Sequence, residues 1–325
     1  MVGGRKISNG MTYEEGILGV PKQFEYKPEI IGKEKIRPFK KIIVLGMGGS
    51  RLATGILNMV KPELDIHIHS DYDLPLFDEE VLTSALIITN SHSGNTTEPI
   101  SGAKIAIENG LNLVVVSTGG ELINIANQNQ VPHIVLPHSD LPPRMMVFHD
   151  LIALATLIDF DITELTPCQH IDAEALKSGG TQVARQIGLA IPLIYTSESL
   201  KELGYIWKII LNETAKMPAF NNCFPEADHN EITGFQGDWA AGFHSIFLQD
   251  DIDNRISQRM DLTAKLFQSH GMLVVKIPLV GVSLIEKIIS SVIIAHWTAL
   301  ELATTNNTDP LAVVEIEDFK KKLQN

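Results

Sequence analysis

The sequence predicts an α/β protein built from parallel β-sheets flanked by helices. Short β-branched runs recur along the chain with helix-period segments between them, and this alternation stops at one polar, proline-marked passage and then resumes. The length of 325 residues adds a third observation, because it suits about two domains better than a single core. The economical arrangement is two α/β units of similar plan in tandem, the second less regular and with no strict sequence repeat.

Residues 1–35 read as a helical segment that packs on the first unit, and the opening Met1-Val2-Gly3-Gly4-Arg5 lacks the apolar core of a signal peptide. The first unit spans 36–165. Its strands are expected at Lys41–Leu45, Ile66–His69, Ala85–Thr89, Asn112–Val116 and Pro132–Leu136. Asp161-Ile162-Thr163-Glu164-Leu165-Thr166-Pro167 then marks a boundary. The second unit, 170–325, has expected strands at Ile191–Tyr195, His244–Leu248 and Met272–Ile277. Helices are expected around Ser199–Ala215, Asn254–Ser269 and Val282–Thr305. The last is the most apolar long segment, but Glu286, Lys287, His296 and Glu301 make it a buried amphipathic helix rather than a membrane span.

A hydrophobic share of 44% with 20% charged residues is that of a globular protein able to bury substantial cores. The net charge of -13 argues against a nucleic-acid partner and against an anionic membrane surface, both of which draw on clustered Lys and Arg. Any bound phosphate must therefore rely on local donors. Cys168 and Cys223 lack metal or redox spacing, which suits a reducing, cytoplasmic setting.

Ser91-His92-Ser93-Gly94-Asn95-Thr96 closes the apolar run Ala85–Asn90 and opens a periodic segment at Glu98-Pro99-Ile100. Such a strand-to-helix junction gathers backbone N–H groups, the positive end of the helix dipole and three hydroxyls, which together can hold a phosphate without metal. One hydroxyl would suffice for an ordinary N-cap; three with a glycine exceed that need. Gly46-Met47-Gly48-Gly49-Ser50 follows the first strand and lets backbone approach a ligand at the carboxyl edge of the sheet. A dinucleotide fingerprint is the alternative, with Asp71 available for a ribose. It fails at the third glycine, where bulky Arg51 stands.

Three further groups carry possible chemistry. Leu141-Pro142-Pro143-Arg144 fixes the backbone that leads into Arg144 ahead of an apolar helix, a poor place for a cation unless it meets an anion. Glu213, in Asn212-Glu213-Thr214-Ala215-Lys216, ends an amphipathic helix, where the dipole favours its protonated form and suits it to general-base work. A solvated Glu paired with a nearby lysine is the plainer alternative. In Pro225-Glu226-Ala227-Asp228-His229-Asn230-Glu231, the Asp228 and Glu231 spacing is that of a capping box, which would place a neutral His229 in a helix's first turn; a lone histidine is more often structural.

Together and in this order, these motifs resemble the sugar isomerase (SIS) domain proteins, specifically the bifunctional phosphoglucose/phosphomannose isomerases, over roughly Lys40 to Leu323. The resemblance implies two tandem SIS domains, a homodimer, no cofactor or metal, and interconversion of aldose and ketose 6-phosphates through a cis-enediol. It further implies that Gly48, Gly49, Ser50, Ser91, Ser93 and Thr96 bind the phosphate and that Arg144 stabilises the enediolate. Glu213 would move the proton between C2 and C1, and His229, supplied by the neighbouring subunit, would assist ring opening. A C-terminal lysine acting on the ring oxygen is implied at Lys320, with Lys321 and Lys322 adjacent. His92, Pro99 and Met145-Met146 depart from the family pattern and bear on pocket size. Alternative readings are an amino-sugar phosphate isomerase and a non-catalytic phosphosugar-binding module.

Overall fold

A computed structural model describes residues 11–323, the side chains of Lys321 and Leu323 excepted; the opening Met1–Arg5 lies outside the described residues. The chain divides into two compact units, one of residues 19–171 and one of residues 172 onward joined by the stretch that ends at Leu18. Both are α/β with wholly parallel sheets.

The N-terminal stretch differs from the expectation of one helical segment on the first unit. It forms α1 (Tyr13–Leu18) and α2 (Val20–Gln23), after which Pro28, Gly32 and Pro38 leave only a single 3₁₀ turn before the first strand. α1 groups with the second unit, and only the residues from Gly19 belong to the first. There Gln23 Nε2 donates to the Met145 carbonyl at 2.7 Å, and the Phe24 and Phe148 rings lie 5.2 Å apart.

The first unit continues through β1 (Lys41–Gly46), α3 (Gly49–Val60), β2 (Ile66–His69), α4 (Glu79–Ser84), β3 (Ala85–Asn90), α5 (Thr97–Glu108), β4 (Leu113–Ser117), α6 (Gly120–Gln128), β5 (His133–Val135) and α7 (Val147–Leu157). Its sheet runs β2-β1-β3-β4-β5, so the chain reverses direction across the sheet beside β1 and β3. Helices cover the faces, which is why every residue of the central β3 is buried and why Ala85–Ile88 is a continuous apolar run rather than an alternation, with polar Thr89 and Asn90 at its carboxyl end. Ile43, Leu45, Ile87 and Val115 pack on one side with Leu122 and with Ala103, Ala106 and Ala126, small helix residues that let α5 and α6 lie close to the strands. Ile31 pairs antiparallel with His133 and covers the β5 edge.

The second unit contains α8 (Lys177–Ile187), β6 (Ile191–Ser197), α9 (Lys201–Ile210), β7 (Phe220–Phe224), β8 (Phe243–Gln249), α10 (Asn254–Ser269), β9 (Leu273–Pro278), α11 (Leu284–Thr305) and α12 (Val314–Leu323). Its sheet order is β7-β6-β8-β9. Tyr195, Phe224, Phe247 and Phe267 form an aromatic core, with the Tyr195 and Phe247 rings stacked at 5.2 Å. α11 is long and apolar enough to cross a membrane by length and composition, yet 78% of its most apolar window is buried inside the fold. A capping box of Ser283 and Glu286 sets its start.

Candidate active site

In the first unit, the loops after β1, β3 and β5 leave the carboxyl edge of the parallel sheet, where open α/β folds receive ligands. Gly48 is the N-cap of α3, and Gly49 and Ser50 form its first turn. A Cβ on Gly49 would stand 3.0 Å from the amide nitrogen of Arg144, so the missing side chain lets the Pro143-Arg144 segment close against this loop. Buried Ser50 ties the same loop to its neighbour: its Oγ accepts from the His92 amide at 2.9 Å, and its carbonyl accepts from Asn90 Nδ2 at 2.7 Å.

The serine turn is held just as tightly. Gly94 has φ 68°, and a Cβ there would lie 1.9 Å from the Gly119 carbonyl oxygen. Thr96 is the N-cap of α5 but makes no side-chain capping bond; its Oγ1 instead accepts from Ser91 Oγ at 2.9 Å. Ser91 is buried, whereas Ser93 is exposed with its Oγ accepting from the Asn95 amide at 3.3 Å. The hydroxyls of this turn are therefore not spent on the helix end, and the N-termini of α3 and α5 both lack side-chain caps.

Arg144 lies in the 3₁₀ turn Pro143–Met145 and is only 1% exposed. Two titratable neighbours that the sequence reading passed over follow it on α7, His149 and Asp150. Burial pushes the fully enclosed Asp150 carboxyl up to about 7, against a smaller opposing pull from Asn90. Burial also lowers His149 to about 4 and, with the nearby His149 and His138 adding to it, His92 to about 4. Both rings are thus neutral at neutral pH. The signal in the sequence was a polar pair interrupting the apolar run Val147–Leu157.

In the second unit, α9 does not end as a regular helix. Leu211–Ala215 winds as a π turn, carrying Glu213, and Lys216 closes it at φ 55°. Lys216 Nζ donates to the Glu213 carbonyl oxygen, and Asn212 Nδ2 donates to the Met217 carbonyl at 2.9 Å. An open depression of about 540 Å³ links this turn, through Asn212, Lys216 and Met217, to Asp309 and Val314 at the root of α12. Lys320 is exposed on α12, as is Lys322, while the Lys321 side chain lies outside the described residues.

The capping-box expectation around His229 is corrected. Glu226–His229 is a 3₁₀ turn with Pro225 at its N-cap, and His229 ends it rather than beginning a helix. The two acids are engaged elsewhere: Glu231 accepts from Tyr195 Oη at 2.8 Å and Asn222 Nδ2 at 2.7 Å, and Asp228 takes Arg259 Nη1 at 2.9 Å. The exposed His229 ring stands 3.7 Å from Asp228 Oδ1.

Residues 177–323 match the family described as the bacterial phospho-glucose isomerase C-terminal SIS domain. The chain is 29% identical over 320 residues to a bifunctional phosphoglucose/phosphomannose isomerase of Thermoplasma volcanium, covering 96% of this chain and 100% of the relative. It is 28% identical over 317 residues to the protein of the same name from Aquifex aeolicus, covering 95% and 97%. In fold it is similar to the C-terminal domain of glucosamine-fructose-6-phosphate aminotransferase from Francisella tularensis, with a TM-score of 0.66, 11% identity and coverage of 94% and 99%. Tandem parallel sheets, the loops at their carboxyl edges and likeness along nearly the whole length agree: the chain is similar throughout to the bifunctional phosphoglucose/phosphomannose isomerases, and over residues 177–323 to the bacterial phospho-glucose isomerase SIS domain.

Proposed function

We propose that this protein interconverts glucose 6-phosphate and mannose 6-phosphate with fructose 6-phosphate by a metal-independent proton transfer through a cis-enediol. The observation that carries the reading is the serine turn, whose hydroxyls and uncapped helix start supply neutral donors suited to a phosphate dianion. In this reading Ser91, Ser93 and Thr96 bind the phosphate with Ser50 and the backbone at Gly48 and Gly49.

Glu213 takes the C2 proton of the open-chain aldose as the carbonyl oxygen at C1 gains negative charge, and Arg144 stabilises that enediolate. The proton returns to C1 as the O2 hydroxyl proton passes to O1, a carbonyl forms at C2, and no electrons leave the substrate. A single base acting on a planar enediol explains how two sugars that differ only at C2 reach one ketose. His229 and Lys320 assist ring opening, His229 across the interface of a homodimer.

A coupled assay with each aldose phosphate, run with and without a chelator, tests the proposal. Turnover of both, insensitive to chelation, is the expected result. Binding without turnover supports a phosphosugar-binding module instead.

A further inference from the structure

The π turn that carries Glu213 is anchored from the interior of the second unit by a residue near the N-terminus. Tyr13, 2% exposed on α1, places its hydroxyl 2.8 Å from Thr214 Oγ1 and 2.7 Å from His296 Nδ1. Thr214 immediately follows Glu213 in the turn, and both Thr214 and His296 are fully buried. α1 is in turn clamped to this unit: Lys177 Nζ donates to Glu14 Oε1 at 2.5 Å and stands 4.7 Å from the centre of the Trp297 ring.

The chemistry of the three groups fits a hydrogen-bonded chain running from Thr214 through Tyr13 to His296. A phenol and a threonine hydroxyl each donate once and accept, and the imidazole nitrogen completes the chain in either tautomer. A π turn is a rare, wider coil that aims the residues after it differently from an α-helix, and it persists where surrounding contacts over-determine it. Lys216 and Asn212 hold this turn on its far side; Tyr13 holds it from the core.

We propose that Tyr13 is a positioning residue for the isomerisation, acting through Thr214 to hold the π turn so that the Glu213 carboxylate meets the substrate in the geometry proton transfer requires. This rests on Glu213 being the base. Tyr13→Phe keeps the ring packing and removes only the shared hydroxyl. Thr214→Val removes the other end of the same bond, and carries the test if Tyr13→Phe does not fold.

Steady-state kinetics with glucose 6-phosphate should show kcat about 10- to 100-fold lower in each variant, with KM within about twofold. The double variant should lose less than the two single losses combined, because both single changes break the Tyr13–Thr214 bond, Tyr13→Phe breaking the bond to His296 as well. A Tyr13→Phe protein that melts at a lower temperature but keeps its kcat overturns the positioning role and leaves the isomerase intact. A wild-type protein that turns over neither sugar phosphate overturns the assignment of the base, and the positioning role with it.

Discussion

The backbone amide of His92 donates to the side-chain oxygen of Ser50 at 2.9 Å, joining the glycine turn after β1 to the serine turn after β3. The bond is buried, so the two halves of the proposed phosphate cradle are held as one object rather than as two independent loops. Ser50→Ala leaves the His92 amide without that acceptor, at a cost of about 1–3 kcal/mol. Denaturant unfolding should show this loss, together with a KM for sugar phosphate raised about tenfold and a smaller change in kcat.

Gly94 gives a sharper test of the cradle's shape. Its positive φ and the 1.9 Å approach of a Cβ to the Gly119 carbonyl oxygen mean that Gly94→Ala must push the serine turn away from the β4–α6 loop. Saturable sugar-phosphate binding should be lost by calorimetry while the circular dichroism of the fold persists. Unchanged affinity would contradict the placement of the ligand in this turn.

Asp150 and the two histidines beside it pull the stability profile in opposite directions. The Asp150 carboxyl is raised from 3.8 to about 7 by burial, so the stability it contributes is fully present below about 4 and is lost as pH rises through 7. His92 and His149 are lowered from 6.5 to about 4; they destabilise at acid pH and cease to do so as pH rises toward 6.5. Thermal melts of Asp150→Asn should therefore show a steeper gain in stability between about pH 4.5 and 6.5 than the wild type, without the wild-type decline toward 7. A variant profile parallel to the wild type would contradict the raised carboxyl.

Much of this fold is legible in the sequence because parallel strands covered on both faces must be apolar throughout. Ala85–Ile88 and Leu113–Val116 show it directly. β7 is not legible for the converse reason: Phe220-Asn221-Asn222-Cys223-Phe224 is an edge strand with no β-branched residue, and Asn222 is there to hold Glu231. Bonds to other elements likewise mislead a local reading of Asp228 and Glu231, whose spacing copies a capping box while their partners come from β6, β7 and α10. Tyr13 is equally silent, since nothing near it in sequence announces Thr214 or His296, roughly two to three hundred residues away. Glycine and hydroxyl motifs are visible because backbone geometry demands those residue types locally; contacts made across the chain are not.

Glu213→Gln is the most direct measurement, because it keeps the shape of the side chain and removes its capacity to take a proton. Isothermal titration should show glucose 6-phosphate binding within about threefold of the wild type, while turnover of both aldose phosphates falls by at least about 10³-fold. Saturated turnover within tenfold of the wild type, or loss of binding with the chemistry intact, would contradict the role of Glu213 and the reaction built on it.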